Sequence, residues 1–374
     1  MPRVKLGDVA REYKATLKQT KGLPVVGLEH ITPGELQLEH WDQDVETTFS
    51  KGFKKGQVLF GRRRAYLKKA AVAPFDGVCS GDITVIEAIP GKILPNLLPF
   101  VIQNDLLFDF AIGQSAGSLS PRVKWEKLRN YEFNLPEYEQ QEAMVELLQA
   151  AYAAKRAYQK QMEATDELVK SQFIEMFGDP ESALTSDHTI AEVADVQVGI
   201  VIKPTRFYAN GIDGVKAFRS LNIGPMCIKG EDWVYFTKEA MMETQRTVAH
   251  TGDVLIVRSG NPGTSCVVTP EYDGCNVVDL IIAHPNVDKV LPEYLCAYTN
   301  MPHGKNQIDA QQRGVAQKHF NVGMYNELKL ILPPLEEQKR FVDLLQQSDK
   351  SKFELQESIK RVDGLIKSLM QSEN

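Results

Sequence analysis

The chain repeats itself. The stretch 135–149 (LPEYEQQEAMVELLQ) returns at 332–346 (LPPLEEQKRFVDLLQ) with eight of fifteen positions identical and a constant offset of 197 residues. The same offset relates Gln114 to Gln311, Gly117 to Gly314, Asp82 to Asp279 and Leu94-Pro95 to Leu291-Pro292. At an offset of 196, Gly56–Leu59 matches Gly252–Leu255 and Arg62 matches Arg258. A register held over that distance means a duplicated half, and internal repeats decide architecture before any local signal does. Each half reads as a mixed domain followed by a long helix.

The helices are the clearer part. Each begins after a Leu-Pro step, and no proline interrupts 137–179 or the stretch from 335 onward. In the second, Leu345, Lys352, Leu355, Ile359, Val362, Ile366 and Leu369 step by sevens, threes and fours, a heptad seam with one charged position. In the first, Met144, Leu148, Ala151, Tyr158, Met162, Thr165, Val169, Phe173 and Met176 form a looser stripe, and Gly178-Asp179-Pro180 stops it. At 1.5 Å per residue each would reach on the order of 50–60 Å. Stripes this long outreach a domain of ordinary size, so antiparallel pairing is favoured over separate packing. The expected fold is α+β: two mixed domains in pseudo-two-fold arrangement, separated by an antiparallel coiled coil. The expected boundaries are 1–134 and 179–331 for the domains, 135–178 and 332–374 for the helices. Candidate strands are 25–28, 58–60 and 83–86 in the first copy, and 254–257, 266–269 and 277–282 in the second. Segments 94–110 and 291–299 read as helical.

Charge and motifs exclude more than they assign. The chain carries a net −6, yet residues 1–134 carry +4 and 178–334 carry −5. Lys51–Lys69 holds eight basic residues and no acidic one, a footprint suited to phosphate or else a solvated face. The five cysteines are scattered with no Cys-x-x-Cys pair, which excludes a zinc ribbon and fits a reducing cytoplasm. No apolar run suits a membrane span, and the N-terminus has no signal-peptide pattern. Neither a phosphate-binding Gly-rich loop, a nucleophile elbow nor a His-Glu-x-x-His pair is present, so no catalytic role, metal or cofactor is expected in this chain.

What remains are loops of the residue types that read nucleic acid, since Arg pairs with guanine, and Asn or Gln with adenine, in the major groove. In the first copy these are Arg62, Arg63, Arg64, Tyr66 and Lys68, with Gln114, Ser115, Arg122 and Lys124 downstream. In the second they are Arg219, Arg258, Ser259 and Asn261, with Gln311, Gln312, Arg313, Gln317 and Lys318 downstream. Equivalent places carry different polar side chains, as readers of two different half-sites would require and as drift in surface loops would also produce.

The sequence resembles the DNA-specificity (S) subunits of type I restriction–modification systems. The resemblance rests on Gly27–Ile31, Val58–Ala70, Phe75–Asp82, Arg258–Gly263 and, above all, the doubled Leu-Pro-x-x-Glu-x-Gln at the start of each long helix. It covers nearly the whole chain. Ala65 stands where the family often has proline, and the first copy reads Tyr-Glu-Gln-Gln where the second reads Leu-Glu-Glu-Gln. The resemblance implies recognition of a bipartite, asymmetric double-stranded DNA target, with the coiled coil setting the spacing. It also implies docking of two modification subunits, which would carry S-adenosylmethionine and methylate adenine, and of restriction/translocase subunits. Helix-start residues Pro136, Glu139, Gln141, Pro333, Glu336 and Gln338 are the candidates for partner contact. Two other classes compete: a coiled-coil adaptor, which would not retain DNA at any salt, and a self-contained DNA enzyme, which the missing motifs oppose.

Overall fold

The computed structural model describes residues 1–117, 119–201, 204–209, 214–312 and 320–371. Four helices anchor the architecture: α1 (Asp105–Gly113), α2 (Gln141–Phe177), α3 (Pro302–Gln311) and α4 (Leu335–Gln371). Contacts divide the chain into two units, Met1–Lys160 with Leu355–Asn374, and Gln161–Glu354. Both long helices are therefore divided between units, and the start of each shares a unit with the end of the other. Within each unit the two helix segments run antiparallel, Lys155 meeting Asp363 in the first and Asp166 meeting Lys352 in the second.

The first unit is built on an antiparallel sheet in the order Ala10–Glu12, Ile83–Ala88, Val58–Gly61, Ala70–Val72. A smaller sheet pairs Val25–Val26 in parallel with Gly77–Cys79, which also pairs antiparallel with Lys51–Phe53. The strand Val58–Gly61 is apolar throughout because both of its faces are buried. Val58 and Phe60 point into a core with Phe108 of α1, Met144 and Leu148 of α2 and Met370 of α4. Leu59 points the other way, with Val85, Val26, Cys79 and Phe53 of the smaller sheet. Period-two alternation across a two-sided sheet explains why the segment shows no polar positions.

The second unit repeats this plan. Its sheet runs Ala194–Val198, Leu280–Pro285, Val254–Val257, Ser265–Val267. Its smaller sheet again contains a parallel pair, Val215–Phe218 with Asn276–Val277, and Val234–Phe236 lies antiparallel on the other side of Val215–Phe218. Val254 and Ile256 face a core with Phe173 of α2 and Phe341 of α4, while Leu255 and Val257 face the smaller sheet. The expected strand 277–282 is broken: Asp279 adopts a positive φ of 52°, which divides it into Asn276–Val277 and Leu280–Pro285. The expected helix 94–110 is likewise two helices, Leu98–Ile102 and α1, divided at Asn104, whose side chain caps α1 by accepting from Leu106 N at 2.9 Å.

The repeat extends into the helix pair. Every seam residue of α4 and every stripe residue of α2 named from the sequence is buried or half-buried. In the first unit Lys155 of α2 bonds Asp363 of α4 at 2.7 Å; in the second, Lys352 of α4 bonds Asp166 of α2 at 3.1 Å. The two lysines are 197 residues apart, and so are the two aspartates. Lys352 is thus the charged seam position, with its stem half-buried and its ammonium on a carboxylate. α2 ends at Gly178, whose φ of 87° supplies the left-handed turn and whose N–H bonds Ile174 O at 2.8 Å.

Buried glutamines lock each helix start to its own domain. Gln141 accepts from Leu94 N at 2.8 Å and donates to Lys92 O and Pro136 O. Gln338 accepts from Leu291 N at 2.8 Å and donates to Lys289 O and Pro333 O. Partner for partner, the two sets are related by 197 residues, and both glutamines are at most 1% exposed. Among the described residues no helix is long and apolar enough to cross a membrane, and no group of three or more His, Cys, Asp or Glu could hold a metal ion.

Candidate nucleic-acid interface

In the first unit the loop leaving Val58–Gly61 and the segment after α1 come together. Val123 N bonds Arg62 O at 3.0 Å, Arg64 N bonds Pro121 O at 2.8 Å, and Arg63 pairs with Arg122 across an antiparallel bridge. Asp82 braces the junction. Its carboxylate accepts from Arg122 Nε at 2.6 Å and Arg122 Nη2 at 3.1 Å, with Arg63 Nη1 at 3.5 Å. The bidentate Arg122 guanidinium holds the Asp82 carboxyl below the usual carboxylate range. Arg63 Nε also donates to Ser120 Oγ at 2.6 Å. Beyond this brace, Arg64 and Lys68 both take left-handed φ (53° and 51°), and the 3-10 turn between them carries Tyr66, 52% exposed. Lys68 pairs with Asp105 at 2.5 Å. Arg64, Gln114 and Lys124 are exposed, and neither Arg64 nor Lys124 has an ion-pair partner among the described residues. Ser115 Oγ is engaged with Ala111 O at 2.8 Å.

The basic run 51–69 is not one patch. Lys51 lies on the smaller sheet, donating to Ile83 O and pairing with Glu12, and Lys54 pairs with Asp76 before Val58–Gly61 begins. Arg62–Lys69 follows at the far end of that strand. Lys69 donates to Leu28 O at 2.6 Å.

The second unit uses the same brace with different contents. Phe320 N bonds Arg258 O at 3.1 Å, the counterpart of the Val123–Arg62 bond. Asp279, the counterpart of Asp82, accepts from Arg258 Nη1 at 2.7 Å, and Arg258 Nε donates to Phe320 O at 3.0 Å. The Arg258 side chain is only 13% exposed, so it holds the loop and does not face outward. Asn261 is exposed on a turn shaped by Gly260 and Gly263 (φ 86° and 89°). Lys305 of α3 fixes that turn, reaching Asn261 Oδ1 at 3.1 Å and Pro262 O at 2.6 Å. Ser259, half-buried, lies in the same turn. At Gly263 the left-handed φ of 89° favours glycine, and a Cβ there would also press on the Ile308 Cδ1 tip at 2.6 Å. Gln311 donates to Met324 O at 3.3 Å and Gln312 is buried. Arg313, Gln317 and Lys318 lie outside the described residues.

Arg219 begins a turn of its own, its N–H bonding Asn222 Oδ1 at 2.9 Å while its guanidinium donates to Asp232 O. In the first unit Gly27 N bonds His30 Nδ1 at 3.0 Å in the same way, so His30 closes a turn. Among the helix-start candidates, Glu139 and Glu336 are exposed and Pro333 is half-buried, whereas Pro136, Gln141 and Gln338 are buried and face no partner. The two bracing aspartates were visible in the sequence as positions identical in both copies, Asp82 also as the end of the stretch Phe75–Asp82; Ser120 and Lys305 carried no signal.

Two α+β units of one plan, each presenting a pair of loops braced by an aspartate and joined through a shared helix pair, define a tandem specificity protein. The sequence matches the family described as "Type I restriction modification DNA specificity domain" over residues 3–164 and 228–362. The chain therefore belongs to the family of DNA-specificity (S) subunits of type I restriction–modification systems, whose general role is DNA recognition and scaffolding within the complex. It is 23% identical over 167 residues to the EcoDI specificity subunit of Escherichia coli, a match spanning 42% of this chain and 35% of that relative. A chain from a solved type I R-M system superposes with a TM-score of 0.59 at 19% identity, covering 99% of this chain and 96% of its own. The S subunit from M. genitalium superposes with a TM-score of 0.53 at 13% identity, over 100% and 96%. At these identities the likeness speaks for the fold.

Proposed function

We propose that this chain reads a bipartite, asymmetric double-stranded DNA target, one half through the loops around Arg62–Lys68 and Gln114–Lys124, the other through Arg219, Ser259–Asn261 and Gln311–Lys318. The observation that carries this reading is the repeated brace. Both units bring the same two loops together on one aspartate, Asp82 or Asp279, and place different side chains on them. Identical scaffolding with different contents is what two unlike half-sites demand. Arg258 moves in this account from base reader to positioning residue. The spacer between half-sites is set by the helix pair and is not read by base contact. Two modification subunits bearing S-adenosylmethionine, and restriction/translocase subunits, complete the complex. The chain itself contributes binding and not chemistry.

The test is a genome-wide map of methylated adenine in cells with and without this gene. The expected result is a single two-part motif that disappears with the gene. A map unchanged by its removal contradicts the proposal.

A further inference from the structure

Residues equivalent by the repeat differ at one place beside the long helices. In the first unit Tyr152 of α2 bridges to the neighbouring loop: its hydroxyl donates to Glu35 Oε2 at 2.8 Å and accepts from Leu36 N at 3.0 Å. The residue 197 positions on is Asp349 of α4. With a short acidic side chain there, the second unit keeps an open groove of about 500 Å³. Met226, Ile228 and Leu345 supply apolar walls, and Cys227 lies on the lining. Glu271, Glu293 and Asp349 add three carboxylates. Lys352 bonds Asp349 and Asp166, both at 3.1 Å, so its charge is matched within the chain; Lys229 is the other ammonium close to Cys227. Glu271 and Glu293 have no ion-pair partner among the described residues.

We propose that this groove receives a segment of the modification subunit that carries a Lys or Arg beside apolar side chains. The inference rests on the function proposed above. A carboxylate-lined apolar groove complements a cationic amphipathic segment and repels a phosphate backbone, so the occupant is protein and not DNA.

Cys227 makes the test direct, because it is exposed while Cys79, Cys266, Cys275 and Cys296 are buried. The full chain is treated with N-ethylmaleimide alone, with the modification subunit, and with target DNA, and the alkylated residue is followed by mass spectrometry. Alkylation at Cys227 is expected in the free chain, at least tenfold slower in the complex with the modification subunit and unchanged by DNA alone. Asp349→Tyr, which puts the bulk of Tyr152 at this position, and Glu293→Lys should each weaken assembly at least tenfold, with an unchanged melting profile showing that the fold is intact. Equal alkylation in the free chain and the complex overturns the inference while leaving the proposed function standing, and protection by DNA alone overturns it in favour of a nucleic-acid site. Failure of the wild-type chain to assemble at all removes the proposed partner and this inference with it.

Discussion

The two loop junctions hold the same aspartate and use it differently. In the first unit Asp82 gathers arginines from both loops, which ties down two of the four arginines nearby and leaves Arg64 and Lys124 facing outward. In the second, Asp279 holds Arg258 alone among the described residues, and Lys305 fixes the turn that carries Asn261. Among the described residues the outward groups are thus cationic in the first unit, while the second presents the amide of Asn261. A basic run in a sequence is therefore a poor guide to which cations reach a ligand: partner carboxylates far away in sequence decide that.

The largest effects should come where the units are alike. Gln141→Ala and Gln338→Ala each leave a buried amide and carbonyls without partners, and should each cost roughly 2–3 kcal/mol. Equal losses by denaturant titration sharpen the equivalence; a loss confined to one breaks it. Next, Arg258→Ala should destabilise the second unit by about 1–3 kcal/mol, because it orphans Phe320 O and releases Asp279. Arg122→Ala should cost clearly less in the same titration, because the Arg122 side chain is 39% exposed against 13% for Arg258 and Arg63 stays close to the carboxylate. Arg64→Ala and Lys124→Ala should leave stability unchanged and each lower the salt dependence of DNA binding by about one ion, read from affinity against salt concentration. An unchanged slope removes them from the interface.

The smallest effect concerns pH. In the second unit His284 Nδ1 lies 2.6 Å from Asp253 Oδ1, with Asp195 opposite it in the strand register and Gln197 at its other ring nitrogen. Chiefly through the hydrogen bond to Asp253, the imidazole titrates above its ordinary value. The folded pKa exceeds the unfolded one, so this stabilisation is complete below about pH 6.5 and fades as pH rises through the folded value. The first unit has Gln57 and Glu87 at these places, an amide bonded to a carboxylate at 2.6 Å with no imidazole in the pair. Asp253→Asn should therefore lower the melting temperature more at pH 6 than at pH 8.5, and Gln57→Ala should lower it equally at both. A pH-independent loss for Asp253→Asn contradicts this.

Much of the fold was legible because it is periodic. The heptad steps of α4, the stripe of α2 and the Leu-Pro starts each follow from local sequence, and the offset of 197 doubled every signal. The strand Val254–Val257 matched its expected bounds because four consecutive apolar residues have only one use in a two-sided sheet. The parallel pairs Val25–Val26 with Gly77–Cys79 and Val215–Phe218 with Asn276–Val277 were not legible, since more than fifty residues separate the partners and nothing local specifies them. In the candidate site, residue types were legible and their availability was not. Arg122, Arg258 and Gln312 look like readers in sequence, and only the fold shows the first two braced on aspartates and the third buried.

One measurement tests the tandem reading most directly. The loops 62–69 and 114–124 are replaced together by those of a family member with a different target, and methylated adenines are mapped in cells expressing the chimera with its modification subunit. The account predicts a new two-part motif in which one half changes and the other is kept. A motif altered in both halves, or in neither, contradicts it.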